Sequence, residues 1–253
     1  MFKNNKSGVL SFGSEDERSN LQEVIELFKT SPIPLDQIFE NLGLFLNSKD
    51  LSRILFMNYI FKKVNNVQGV VFDFGTRWGH NMALFSALRG IYEPYNRHKK
   101  IIGFDTFSGF LSISKKDGIS TLMKKGNIST TKRYQEYLEK IMQFHEKSNP
   151  LSHIKKYEVV VGDAIVQLRK YLRRNPQTIV ALAYFDFDIY EPTKKCLQLI
   201  RPHLAKGSLL AFDELNDQDS PGETVALSEV FGLNNIRLKR YPFASRVSYF
   251  ILE

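Results

Sequence analysis

The chain has 253 residues, 43% of them hydrophobic, 13% aromatic and 25% charged, enough to bury a core without disulfides or a structural metal. A single cysteine, Cys196, excludes an internal disulfide and a thiolate zinc site, and 15 Gly with 9 Pro exclude a collagenous or low-complexity chain. The net charge of +8 and a pI near 9.4 favour an anionic partner, although the basic residues come as scattered pairs such as Lys62-Lys63 and Lys124-Lys125 rather than as one block.

Residues 1–14 are polar, and no apolar stretch between Met1 and Asn20 would serve as a secretory signal. The longest apolar run, Ile179 to Phe185, is far short of a membrane span. These features predict a soluble, cytoplasmic protein with no membrane partner. From Glu15 to Val67 apolar residues recur at helical spacing: Leu21, Val24, Ile25 and Phe28, then Ile38, Phe39 and Leu42 after the Pro32–Pro34 break, then Leu51, Ile54 and Leu55. An N-terminal helical region over 1–67 is therefore expected ahead of a second unit over 68–253.

Beyond residue 68 short apolar runs alternate with helical stretches. Strands are predicted at 69–74, 101–104, 157–161, 179–185 and 208–212, with helices at 79–89, 164–172 and 193–203 between them. Continuous apolar strands alternating with helices indicate a parallel sheet covered on both faces. The runs 236–241 and 247–252 suggest a closing antiparallel hairpin. This α/β layout, a mostly parallel seven-stranded Rossmann-like sheet ending in an antiparallel hairpin, is that of the class I methyltransferase fold. The stretch 111–156 is too long for a plain connection and reads as a lid or substrate-side insertion, with a helix over 133–144.

Ligands of open α/β sheets bind beyond the carboxyl ends of the strands. The first strand ends in Asp73-Phe74-Gly75-Thr76-Arg77-Trp78-Gly79, a D-x-G-x-x-x-G turn with an acid where a pyrophosphate site would have its first glycine. An acid beside a glycine turn suits S-adenosylmethionine, which carries an ammonium and a sulfonium; a tight turn with no ligand is the alternative. Asp105, followed by Thr106, ends the second strand, either placed to meet ribose hydroxyls or serving only as a helix cap. Gly162-Asp163 ends the third, where Asp163 can meet an adenine amino group, cap the next helix, or do both. Asp186 ends the fourth strand and Asp213-Glu214 the fifth, one βαβ unit later, so the carboxylates should cluster. A hard cation, Mg²⁺ or else Mn²⁺ or Ca²⁺, would relieve their repulsion. Pairing with lysines and arginines, or helix capping, would do so too.

On these segments, with Phe104-Asp105-Thr106-Phe107-Ser108-Gly109-Phe110 and Asp186-Phe187-Asp188-Ile189-Tyr190-Glu191-Pro192-Thr193, the chain resembles the macrocin-type family of S-adenosylmethionine-dependent sugar O-methyltransferases. The resemblance runs from about Arg53 to the C-terminus. Glu214, where many members have Asp, and Pro221-Gly222-Glu223 point to the branch of the calicheamicin-pathway rhamnose O-methyltransferase. The resemblance implies metal-assisted methylation of a sugar hydroxyl on a nucleotide-sugar or glycosylated metabolite. Asp186, Asp213 and Glu214 would hold Mg²⁺, Asp186 would double as general base, and the chain would form a homo-oligomer. RNA as the acceptor, disfavoured by the dispersed charge, and a non-turning cofactor-binding protein are the other readings.

Overall fold

The computed structural model describes residues 13–244 and 246–253; of the polar start, residues 1–12 lie outside the described residues. One sheet contains β1 (Val70–Phe74), β2 (Ile101–Asp105), β3 (Tyr157–Val161), β4 (Val180–Phe185), β5 (Leu204–Phe212), β6 (Lys239–Arg240) and β7 (Ser248–Ile251). Its order is β3-β2-β1-β4-β5-β7-β6. The first five strands pair in parallel, whereas β7 runs antiparallel to β5 with Leu210 opposite Phe250. The strand order reverses direction between β1 and β4, and it is at such a switch point that crossovers leave to opposite sides and open a cleft.

Alternate residues of each central strand feed two cores. Val71, Leu182, Leu209 and Tyr249 face α2 (Ser48–Lys63), α3 (His80–Tyr92) and α4 (Tyr134–Lys147), which contribute residues such as Phe61, Phe85 and Leu138. Phe72, Phe185 and Phe212 face α5 (Ala164–Arg174), α6 (Tyr190–Ile200) and α7 (Gly222–Phe231) through Leu168, Leu197 and Leu227. β1 and β4 are buried throughout, which is why they read as unbroken apolar runs rather than as alternation. Helix α6 starts at Tyr190, earlier than the predicted Thr193, because Pro192 is tolerated in a first turn, where its missing N–H is not required.

The chain before β1 divides in two. Helix α2 belongs to the core, with Phe56, Met57, Ile60 and Phe61 fully buried. Helix α1 (Glu15–Lys29) is held by its own capping box, in which Glu17 N–H donates to Ser14 Oγ and Ser14 N–H to Glu17 Oε2, and none of its residues is buried. Leu27, Leu35, Phe39 and Leu44 are all more than half exposed. No helix among the described residues is long and apolar enough to cross a membrane.

The insertion between β2 and β3 is fastened to the body at two places. Its front wall packs Phe110, Leu122 and Met123 on Ile189. Its helix, α4, is tied by a buried charge cluster: Glu146 Oε1 accepts from Arg89 Nη2 at 3.0 Å and pairs with Lys156 Nζ at 2.5 Å, while Glu146 Oε2 accepts the Lys156 backbone N–H at 2.8 Å. Removing Glu146 leaves two buried cations, Arg89 and Lys156, short of a partner, which costs about 3–5 kcal/mol. Glu146→Ala should therefore lower the unfolding free energy from urea titration by that amount, through a lower midpoint at an unchanged denaturant slope; a loss below about 1 kcal/mol would mean the cluster does not pin the insertion.

Candidate active site

The cleft at the switch point is a cavity of about 640 Å³, within the range of small-molecule sites. Gly75 and Gly79, with φ of 84° and 76°, let the chain turn sharply from β1 into α3. A side chain at Gly75 would collide with the Asp186 carbonyl oxygen, and the Asp186 N–H donates to Phe74 O at 2.9 Å. The glycine turn and the acid ending β4 are thus in backbone contact. Asp73 lies wholly buried beneath the turn; Oδ1 accepts from Asn81 Nδ2 at 3.1 Å, and Oδ2 has no partner. Burial pushes its pKa to about 6, against the lowering effect of the Asn81 and Thr76 hydrogen bonds. Thr76 Oγ1 donates to Asp73 O at 3.0 Å.

Asp105 spends its carboxylate on the backbone, accepting from Arg77 N–H at 2.7 Å and Phe107 N–H at 2.6 Å, yet it still lines the cleft. Asp163 does the same for α5, accepting from Ile165 and Val166 N–H at 2.8 and 3.1 Å. The capping role expected for it is therefore present, and the residue also lines the cavity with Gly162 and Thr106. Trp78 is 43% exposed on the rim, with its ring edge-on to Tyr134 at 4.7 Å and the Arg77 guanidinium over it at 5.8 Å. His80 lines the cavity, and burial, then Arg53, lowers its pKa. Tyr190 is absent from the cavity: it is buried between Lys116 and Lys194, and its hydroxyl donates to Glu229.

The acids of β4 and β5 meet an arginine that the motifs did not single out. Arg53, from α2, donates through Nη1 to Asp213 Oδ1 at 2.7 Å and through Nη2 to Asp186 Oδ2 at 3.1 Å. Tyr184, buried beneath the guanidinium, donates its hydroxyl to the same Asp213 oxygen at 2.6 Å. Asn81 Oδ1, at 3.4 Å from Arg53 Nη2, links this network to Asp73. The only sequence signal was one arginine set in a largely apolar helix. Burial, then the Asp213 charge, raises the Asp186 pKa to about 7, with Arg53 acting in the opposite sense.

Glu214 does not join Asp186 and Asp213. Its longer arm reaches Arg246, which also pairs with Asp217 at 3.3 Å, and its Oε2 has no partner. Among the described residues no group of three or more potential metal-ligating side chains converges. The expected three-carboxylate cluster is corrected to a pair bridged by a guanidinium, with the third acid on another arginine. The surplus positive charge is not here either. Ten carboxylates and three arginines line the cavity, so the chain's +8 does not gather at the site.

No family model and no curated protein matches the chain. Among solved structures, the calicheamicin methyltransferase CalS11 superposes with a TM-score of 0.93 at 38% identity, covering 98% of this chain and 97% of that one. An apo form of CalS11, described as a TDP-rhamnose 3'-O-methyltransferase of calicheamicin biosynthesis, gives 0.84 at 38% identity over 95% and 96%. The O-methyltransferase NovP shares the fold at 16% identity, with a TM-score of 0.58 over 79% of each chain. With the D-x-G-x-x-x-G turn, the switch-point cleft and the β4–β5 acids all present in this fold, the chain belongs to the family of S-adenosylmethionine-dependent O-methyltransferases that includes CalS11.

Proposed function

We propose that the enzyme methylates a sugar hydroxyl, with a nucleotide-linked deoxysugar such as the TDP-rhamnose of CalS11 as the acceptor class and a glycosylated metabolite as the second reading. The observation that carries the reading is the backbone contact between Gly75 and Asp186. It puts the turn expected to hold the cofactor directly beside a carboxylate able to take a proton. The cofactor's methionine end would lie along Asp73, Gly75, Thr76, Arg77, Trp78 and Gly79 with Asp186 beside it, its ribose near Asp105 and Thr106, and its adenine near Gly162 and Asp163. Asp73, with an unpartnered buried oxygen, is the acid that a cationic methionine end would satisfy.

The hydroxyl oxygen attacks the methyl carbon, the carbon–sulfur bond breaks, and the positive sulfonium becomes the neutral thioether of S-adenosylhomocysteine. Asp186 accepts the hydroxyl proton as the new C–O bond forms. An acid-lined cavity admits the uncharged sugar more readily than a diphosphate, which leaves any phosphates toward the rim. The same lining opposes an RNA backbone.

A divalent cation, Mg²⁺ with Mn²⁺ or Ca²⁺ as substitutes, fits the donor set in chemistry: the acids are all oxygen donors, two of them aim at one cationic group, and one Glu214 oxygen has no partner. Asp186 and Asp213 are the residues that would hold it, with Glu214 the third ligand that the family resemblance implies. Such an ion would lower the pKa of the sugar hydroxyl and help hold it in line. The N-terminal arm supports self-association. Between residues 13 and 46 seven acidic residues stand against two basic ones, while the chain as a whole is +8, so an acidic, leucine-rich arm complements the basic body of a second copy.

Asp186→Asn should lower kcat for methyl transfer to TDP-rhamnose by at least about a hundredfold, with S-adenosylhomocysteine affinity changed less than about threefold; unchanged turnover in Asp186→Asn would remove it as the base. Asp73 gives a pH test. Its folded pKa is raised from 3.8 to about 6, so its burial costs nothing below pH 4 and a cost develops as pH rises toward 6, reaching about 3 kcal/mol. Relative to wild type, ligand-free Asp73→Asn should gain stability across that window in urea titrations and bind S-adenosylhomocysteine at least tenfold more weakly. Sedimentation should give a dimer or larger assembly that becomes monomeric when residues 1–46 are deleted. A monomeric full-length chain would refute the arm as an interface.

A further inference from the structure

Asp186 and Asp213 leave the sheet on different turns, and both turns are tied to the first turn of a single helix, α7. Glu223 is wholly buried, and its Oε1 accepts the N–H groups of Phe187 at 2.9 Å and Asp188 at 3.3 Å. The next residue, Thr224, accepts the Asn216 N–H on Oγ1 at 2.8 Å. Because the Asp186 N–H is already held by Phe74 O, β1 and Glu223 together fix three consecutive amides around the acid. Asp188 takes a left-handed φ of 61° there, a conformation that costs a non-glycine residue about 1–2 kcal/mol and persists only where the surroundings impose it.

The helix that carries these acceptors is itself rigidly seated. A side chain at Gly222 would collide with the Tyr190 backbone nitrogen and with Asp117, and Asp117 Oδ1 accepts the Tyr190 N–H at 2.5 Å. The N-termini of α6 and α7 and the front of the insertion therefore meet at one point. Glu223 is also an expensive residue for mere packing. Its Oε2 is buried without a partner, and burial, then the charge of Asp186, raises its pKa well above the usual range. An apolar side chain would fill the space without that cost.

We infer that Glu223, assisted by Thr224, is a positioning residue: it sets the orientation of Asp186 relative to Asp213 by holding the turns that carry them. The inference rests on the proposed role of Asp186. Displacing a reacting group by about 1 Å can cost a hundredfold in rate, so the effect should fall on turnover rather than on cofactor binding.

The test compares Glu223→Ala, Glu223→Gln and Thr224→Val with wild type by amide hydrogen exchange, S-adenosylhomocysteine calorimetry and transfer to TDP-rhamnose. In Glu223→Ala, the Phe187 and Asp188 amides should lose protection and kcat should fall by about tenfold to a hundredfold, with KM and cofactor affinity within about threefold. Glu223→Gln keeps the accepting oxygen and should recover both protection and turnover. Thr224→Val should show a smaller loss of kcat in the same direction, and it serves if Glu223→Ala does not fold. Unchanged protection or kcat in Glu223→Ala would overturn the inference, as would a Glu223→Gln variant no better than alanine. If wild type binds the nucleoside but does not methylate TDP-rhamnose, the acceptor reading fails while exchange still decides whether Glu223 holds the turn.

Discussion

Everything in the cleft depends on how a group of buried and half-buried carboxylates is kept together. Asp73, Asp186, Asp188 and Asp213 end or follow adjacent parallel strands, so the sheet forces them close whether or not their charges repel. The Arg53 guanidinium, bridging Asp186 and Asp213, supplies an opposing charge within that group, and Asn81 links it to Asp73. That charge does not fully compensate: Asp73 and Asp186 keep pKa values near 6 and 7, both raised first by burial. A site that remains short of positive charge suits a cationic cofactor, and it gives an acid poised near neutrality for proton transfer.

The second constraint is the closeness of the backbones. Gly75 tolerates the Asp186 carbonyl only because it lacks a side chain, and this sets the spacing between the two halves of the cleft. Arg53 comes from a helix whose other face is buried in the core, so the charge is delivered by a rigid element. The insertion is tied down by Glu146 at one end and by Asp117 at the other. It contributes Leu111, Ser112, Leu122 and Ile128 to the cavity wall.

Much of this was legible in the sequence because it depends on local pattern. The unbroken apolar runs of β1 and β4 gave a doubly covered sheet, and the acid ending each strand marked the cleft. What escaped depends on long-range geometry. Arg53 lies far from Asp186 and Asp213 in sequence, and nothing in its helical spacing says that it points into the cleft rather than to solvent. Glu214 could be recognised as a longer arm, but Arg246, which draws it aside, sits in an irregular loop before β7 with no motif. Tyr190 belongs to the Asp186 segment in sequence but not to the cavity. The helix beginning at that residue instead turns its ring toward Lys116 and Lys194.

The most direct test of the account is calorimetric titration of S-adenosylhomocysteine into chelator-treated protein. One site per chain with micromolar affinity, formed without added metal, is the predicted result, because Asp73, Asp105 and Asp163 are held by protein hydrogen bonds alone. No binding with or without Mg²⁺ would contradict the cofactor site and, with it, the role given to the acids beside it.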